Sequence, residues 1–130
     1  MSTVFSKIVK GEIPCYKIHE NEEFLAFLDV FPICQGHVLV IPKIETDYIF
    51  DIEEPRYTRM WHFAKVISKA LKKSIKCERI GISVIGLEVA HAHIHLLPIN
   101  NIGDMNFSKP KLNFTKEEFE SLALLISSNI

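Results

Sequence analysis

Polar and apolar residues alternate along this chain with two different periods, and the switches between them mark its elements. Runs that read as strands, whose successive side chains point to opposite faces, cover residues 15–19, 24–29, 37–41, 80–85 and 90–98, with 24–28 and 38–41 continuously apolar and 90–95 strictly alternating. In the second run Leu25, Phe27 and Asp29 share a face, and in the third His37, Leu39 and Ile41 do. The polar turn Glu20-Asn21-Glu22-Glu23 joins the first two runs as a hairpin, Pro32 and Gln35-Gly36 mark a loop before the third, and Pro42 ends it. From about Glu54 to Ile75 the period lengthens: Met60, Phe63, Ala64, Ile67, Ala70 and Leu71 recur every three or four residues, which predicts the buried stripe of a helix. A shorter helix is predicted to run to about Lys10, capped by Ser2 or Thr3, with Val4, Phe5, Ile8 and Val9 as its apolar side and Gly11 as its stop. The last helix is announced by the capping box Thr115/Glu118, with Phe114 and Phe119 stapled across it and Phe119, Leu122, Ala123 and Ile126 as its stripe. Residues 99–113 have no period and read as a polar loop that either moves freely or covers a site.

Composition narrows the classes. A chain of 130 residues is expected to form one domain, residues 1–130, and to bury about two thirds of the surface its unfolded form exposes. Fifteen Lys and Arg against sixteen Asp and Glu give a net charge of -1, without the basic footprint of a nucleic-acid binder, so a phosphate ligand has to be bound locally. Lys65, Lys69, Lys72, Lys73 and Lys76 form a solvated tail that complements the dipole of the long helix, and no ligand is assigned to them. The absence of a long apolar run predicts neither a signal peptide nor a membrane span, and a cytoplasmic protein. Cys15, Cys34 and Cys77 are odd in number and widely spaced, as expected of reduced structural thiols.

The chemistry is concentrated in Ala-His-Ala-His-Ile-His-Leu-Leu-Pro, residues 90–98. In an extended segment His91, His93 and His95 fall on one face and Ala92, Ile94 and Leu96 on the other. Each buried imidazole needs a hydrogen-bond partner, and charged neighbours repel, so three in a row have a purpose. A solvated strand face, a three-histidine metal site and metal-free transfer chemistry on phosphorus are the readings this spacing allows.

A longer string of residues bears on the choice. Phe5, Lys7-Ile8, Gly11-Glu12-Ile13-Pro14, Leu25-Ala26-Phe27, Asp29, Pro32, Gly36-His37, Leu39-Val40-Ile41-Pro42-Lys43 and Gly86, together with the three histidines, resemble the histidine triad (HIT) family in order and approximate spacing. The resemblance covers most of residues 5–98. It implies an α+β fold with an antiparallel sheet of about five strands, two main helices, and a homodimer whose sheet continues between subunits. It also implies a purine nucleotide as substrate, with Phe5, Ile8, Phe27, Val30 and Leu39 around the base and Asp29 accepting from the ribose hydroxyls. His37 lies beside the triad. His93 is then the nucleophile on the α-phosphorus, His95 bonds phosphate or leaving-group oxygens, and His91 orients the array, with positively charged imidazoles stabilising the transition state. No cofactor, metal, nucleic acid or membrane is implied as a partner.

The departures are specific. Many family members bind a structural zinc through two cysteines near the N-terminus and a histidine after the Ile-Pro-Lys run; Thr3, Ser6 and Glu45 stand at those positions here, so that site is expected to be absent. Where the family places Gln and Ser near the phosphate, this chain has Leu87 and Glu88. Glu88 either faces solvent or meets the leaving group, where it would favour a cationic amine over an anionic polyphosphate. The expected activity is hydrolysis of nucleoside phosphoramidates or dinucleoside polyphosphates; a nucleotide-binding protein with weakened catalysis is the alternative, and a metal-dependent hydrolase a third.

Overall fold

The computed structural model describes residues 2–130. Five strands form one antiparallel sheet in the order β1-β2-β3-β5-β4: β1 Lys17–Glu20, β2 Phe24–Leu28, β3 Val38–Pro42, β4 Arg79–Ser83 and β5 Ile94–Ile99. Three helices accompany it, α1 Val4–Val9, α2 Arg56–Ser74 and α3 Lys116–Ser128. The fold is therefore α+β, with the helices segregated from the sheet rather than alternating with every strand.

Alternation along the strands sorts side chains onto two unlike faces. Phe24, Ala26 and Leu28 of β2, Val38 and Val40 of β3, and Ile94 and Leu96 of β5 point to one side, where they pack on Met60, Phe63, Ile67 and Leu71 of α2 and on Phe119, Ala123 and Ile126 of α3. Leu25, Phe27, Leu39 and Ile41 point to the other side and meet Phe5 of α1 in a smaller cluster, with Ile8 and Val9 packed against it. The α2 stripe contains the residues expected of it; on α3 Leu122 is only partly buried at the edge of the main core, and on α1 Val4, expected on the apolar side, is exposed because it opens the helix away from the small cluster that Phe5 enters. The predicted capping box Thr115/Glu118 forms on α3, and on α1 it is Thr3 of the two candidates that caps, in a box with Ser6 that was not foreseen. The Phe114 and Phe119 rings meet edge to face with centroids 5.5 Å apart.

Gly36, immediately before His37, has φ +85°, and a Cβ there would collide with Ile75 Cδ1 and crowd Leu71 and Pro98. Only glycine lets the chain turn tightly over α2 and enter β3 in the register that carries His37 onto the open face.

The histidine segment departs from expectation. The strand foreseen over 90–98 begins only at Ile94, so His95 alone sits in the ladder while His91 and His93 precede it. The β3 pairing stops at Val40 opposite Ile94, and upstream of it the amide of Ala92 donates to the carbonyl of Thr46 at 2.7 Å. The loop after β3 thus captures the segment that would otherwise continue the ladder. Ala92, Ile94 and Leu96 still enter the main core, so the division of faces survives.

Candidate active site

One lateral row of the sheet builds the floor of the site. Phe27 pairs with Leu39, Leu39 with His95, and His95 with Ser83, which sets two apolar side chains and a half-buried hydroxyl residue in line with an imidazole. Phe5 closes the row from α1, its ring 5.8 Å from Phe27, 5.8 Å from His91 and 5.0 Å from His93. All four histidines are buried.

Their hydrogen bonds define where the protons lie. The amide of Ile33 donates to His37 Nδ1 at 3.2 Å, so in the neutral ring His37 Nε2 carries the proton and donates to His95 Nδ1 at 2.9 Å. That leaves the His95 proton on Nε2. His91 Nε2 donates to the carbonyl of Pro42 at 2.8 Å, so its Nδ1 accepts from the Thr3 hydroxyl at 3.1 Å. His93 Nδ1 donates to the carbonyl of His91 at 2.8 Å. In the neutral ring the lone pair of His93 is therefore on Nε2. Among the described residues neither His93 Nε2 nor His95 Nε2 has a hydrogen-bond partner, and neither is sealed from solvent. The cluster thus presents one free nucleophilic nitrogen beside one free N–H donor, on rings whose centroids are 4.8 Å apart.

Charge corrects one expectation. Burial, then the nearby Lys111, lowers the pKa of His37 to about 4, and burial, then His37, lowers that of His95 to about 3. His91 is also lowered by burial, partly offset by its bond to Pro42 and by Glu45. These imidazoles are neutral at pH 7 in the free protein, not the cations foreseen, because the sheet has removed them from water. They act as oriented N–H dipoles.

Asp29 follows the end of β2. Its Oδ1 accepts from the Phe31 amide at 2.8 Å, and its Oδ2 lies 3.6 Å from His37 Nε2, beyond hydrogen-bond range. One carboxylate oxygen therefore shapes the turn while the other borders the histidines. Asp29, His37 and His95 bring donor atoms within 4.8 Å of one another, a spacing a metal ion tolerates. The Ile33 amide argues against that use: a ring accepting at Nδ1 and ligating a cation at Nε2 would have to be an imidazolate.

Of the other residues singled out in the sequence, Ile8 packs against the apolar cluster, Val30 is 48% exposed and outside it, and Glu88 is exposed. The loop foreseen over 99–113 does cover part of the site. Phe107 packs edge to face on His95 at 4.8 Å and on His37 at 5.9 Å, and Leu112 donates to the carbonyl of Pro32 at 2.8 Å. Sequence reading missed Phe107, Ser83 and Lys111; only an aromatic ring in an otherwise polar loop hinted at the first.

Residues 10–102 match the family model of the HIT domain. This chain belongs to the HIT family. An uncharacterized HIT-like protein of Borreliella burgdorferi is 36% identical to it over 98% of this chain and 97% of that one. Adenosine 5′-monophosphoramidase of Schizosaccharomyces pombe is 33% identical over 100% and 99% of the two chains. Among solved structures, a zinc-bound histidine triad family protein of Mycobacterium smegmatis superposes with a TM-score of 0.82 at 29% identity, covering 99% of this chain and 93% of that one.

The residues at the family's structural zinc position do not suit the metal in this member. Thr3 and Ser6 offer hydroxyls where thiolates would bind, Glu45 is exposed, and the lone pair on His91 Nδ1 is taken by the Thr3 hydroxyl.

Proposed function

We propose that this HIT family member is a nucleotide hydrolase that cleaves the bond between the α-phosphorus of a purine nucleotide and an amine or polyphosphate leaving group. The observation that carries the reading is the free lone pair on His93 Nε2, fixed by the bond from His93 Nδ1 to the His91 carbonyl. His93 Nε2 attacks phosphorus, a P–N bond forms, and the bond to the leaving group breaks with its electron pair going to that group, which takes up a proton. Water then attacks phosphorus, the pair of the P–N bond returns to His93, and the nucleoside monophosphate leaves with the hydroxyl while the second hydrogen of water is released as a proton. The Nε2–H of His95 stabilises charge on the phosphate oxygens, and His37 holds His95 in that tautomer.

The row of Phe27 and Leu39, with Phe5 and Ile8, offers an apolar seat for the base, and the free oxygen of Asp29 an acceptor for ribose hydroxyls. Val30 belongs at the rim of that seat. The phosphoramidase name of the fission-yeast relative favours a P–N substrate. The reading includes a second copy of the chain added along β4, an edge strand whose Ile82 is half exposed.

The test is to quench turnover of a labelled adenosine phosphoramidate and map the adduct. AMP on the peptide containing His93, with activity surviving chelation, is the expected result. Tight nucleotide binding with neither adduct nor turnover would reduce the protein to a binding module. Loss on chelation with recovery on adding zinc would make it a metal-dependent hydrolase.

A further inference from the structure

The Thr3 hydroxyl on His91 is one end of a longer chain of hydrogen bonds. Thr3 Oγ1 accepts from the Ser6 amide at 3.0 Å while Ser6 Oγ accepts from the Thr3 amide at 2.8 Å, which is the capping box of α1. Ser6 Oγ in turn donates to Glu45 Oε1 at 2.7 Å, and the Thr3 amide also reaches that oxygen at 3.2 Å. The Ser6 hydroxyl, then the Thr3 amide, hold the Glu45 carboxyl below the usual carboxylate range. Glu45 can only accept, and at 2.7 Å its charged oxygen is a stronger acceptor for the Ser6 hydroxyl than the Thr3 carbonyl at 3.1 Å. His91 Nε2 must donate to Pro42, so His91 Nδ1 can only accept and the Thr3 hydroxyl must point to it. Acceptors at both ends favour one proton arrangement in between, over the one in which the Ser6 hydroxyl turns to the Thr3 carbonyl.

We propose that Thr3, Ser6 and Glu45 are positioning residues: they lock His91 in its Nε2–H tautomer and, through the His91 carbonyl, hold His93 Nδ1–H so that His93 Nε2 faces the phosphorus. The inference rests on the reading of His93 as the nucleophile. In this chain hydrogen bonds from a helix cap join the N-terminal segment, the loop after β3 and the first histidine. The joint is more than local capping, because Glu45 lies 39 residues from Ser6 and His91 lies 88 from Thr3. Phe5 adds a packing link, its ring against both His91 and His93, so displacement of α1 moves the nucleophile.

Histidine ring nitrogen NMR and kinetics on four variants test it. Thr3→Val keeps the shape and removes the hydroxyl, Thr3→Ser restores it, and Glu45→Gln and Glu45→Ala change the far end, where exposure spares the fold. In the parent, His91 is expected to show a protonated Nε2 and an unprotonated Nδ1 at neutral pH. Thr3→Val should mix the two His91 tautomers and lower kcat by about three- to tenfold, the scale of one lost hydrogen bond, with KM within about twofold. Thr3→Ser should recover both readouts. Glu45→Ala should resemble Thr3→Val more weakly, and Glu45→Gln should lie between it and the parent. A single unchanged His91 tautomer in Thr3→Val and Glu45→Ala would overturn the proposal, whatever the kinetics. Mixed tautomers with unchanged kcat would overturn the coupling to His93. If the parent forms no adduct on His93, the nucleophile reading fails while the tautomer spectra still decide whether the relay exists.

Discussion

His37 and His95 are held from inside the sheet, His91 and His93 from its margin. The first pair sits at the start of β3 and on β5, with an amide of the β2–β3 loop supplying one hydrogen bond and the rings supplying the other. The second pair lies upstream of β5, tied to the carbonyl of Pro42, to its own backbone and to the cap of a six-residue helix. Burial drives the inner pair to low pKa and makes it a rigid neutral donor. The outer pair keeps an open lone pair on His93 because its backbone is not consumed by strand pairing. The N–H donor of His95 and the lone pair of His93, the proposed nucleophile, are therefore set by separate structures, so each can be broken alone.

The largest break is at the outer pair. His93→Ala is expected to lower turnover by about 10^4-fold or more, as removal of a nucleophile that acts within a catalytic unit commonly does. Steady-state kinetics on a phosphoramidate with circular dichroism as the folding control measures this. Activity within a few fold of the parent would remove His93 from the chemistry.

The inner pair should matter less. His95→Ala deletes one N–H donor to the phosphate and is expected to cost about 10^2- to 10^3-fold in kcat, with adduct still forming slowly on His93. A loss as deep as that of His93→Ala, with no adduct, would mean that the two halves act as one unit and the comparison fails. Beside this pair, Asp29→Ala should weaken ribonucleotide binding about ten- to a hundredfold and 2′,3′-dideoxynucleotide binding much less, by calorimetry. Equal losses would restrict Asp29 to its bond with the Phe31 amide.

These differences were unevenly legible in the sequence. β2 and β3 were readable because both of their faces are packed, Phe24, Ala26, Leu28, Val38 and Val40 in the main core and Leu25, Phe27, Leu39 and Ile41 in the smaller cluster, which makes each a short apolar run bounded by turns. The cap at Thr115 was readable because its partner Glu118 stands three residues on, whereas Thr3 was one of two candidates and its partner Ser6 was not foreseen. The four histidines named by the family string lie near one another in the structure. What sequence hid depends on distant partners. The histidine segment leaves the ladder because Thr46 takes the amide of Ala92, and Phe107 reaches His95 from a loop without period. The neutrality of His37 and His95 follows from burial that no local pattern encodes. Val30 directly follows Asp29, yet the chain has left β2 by then and the side chain turns outward.

Acid gives the finest separation. Against an ordinary value of 6.5, His37 is lowered to about 4 and His95 to about 3. Below pH 6.5 the unfolded chain therefore binds protons on these rings that the folded chain refuses, and folding stability falls as the pH falls. Above 6.5 both states are neutral there and the pair contributes no slope. Each ring contributes up to about 1.4 kcal/mol per pH unit once its unfolded form is protonated. Glu45 and Asp104, whose folded pKa values are lowered, lose stability in the same direction, but only as the pH drops past the unfolded carboxylate range near 4. The window from about pH 6.5 to 4.5 thus belongs to buried imidazole, and denaturant midpoints taken across it isolate the histidines. The parent should weaken steadily through that window, and the double variant His37→Asn with His95→Asn should weaken much less, leaving the smaller contribution of His91. Parallel curves would show that the inner pair takes up its protons in the folded state, and its role as a neutral donor would disappear.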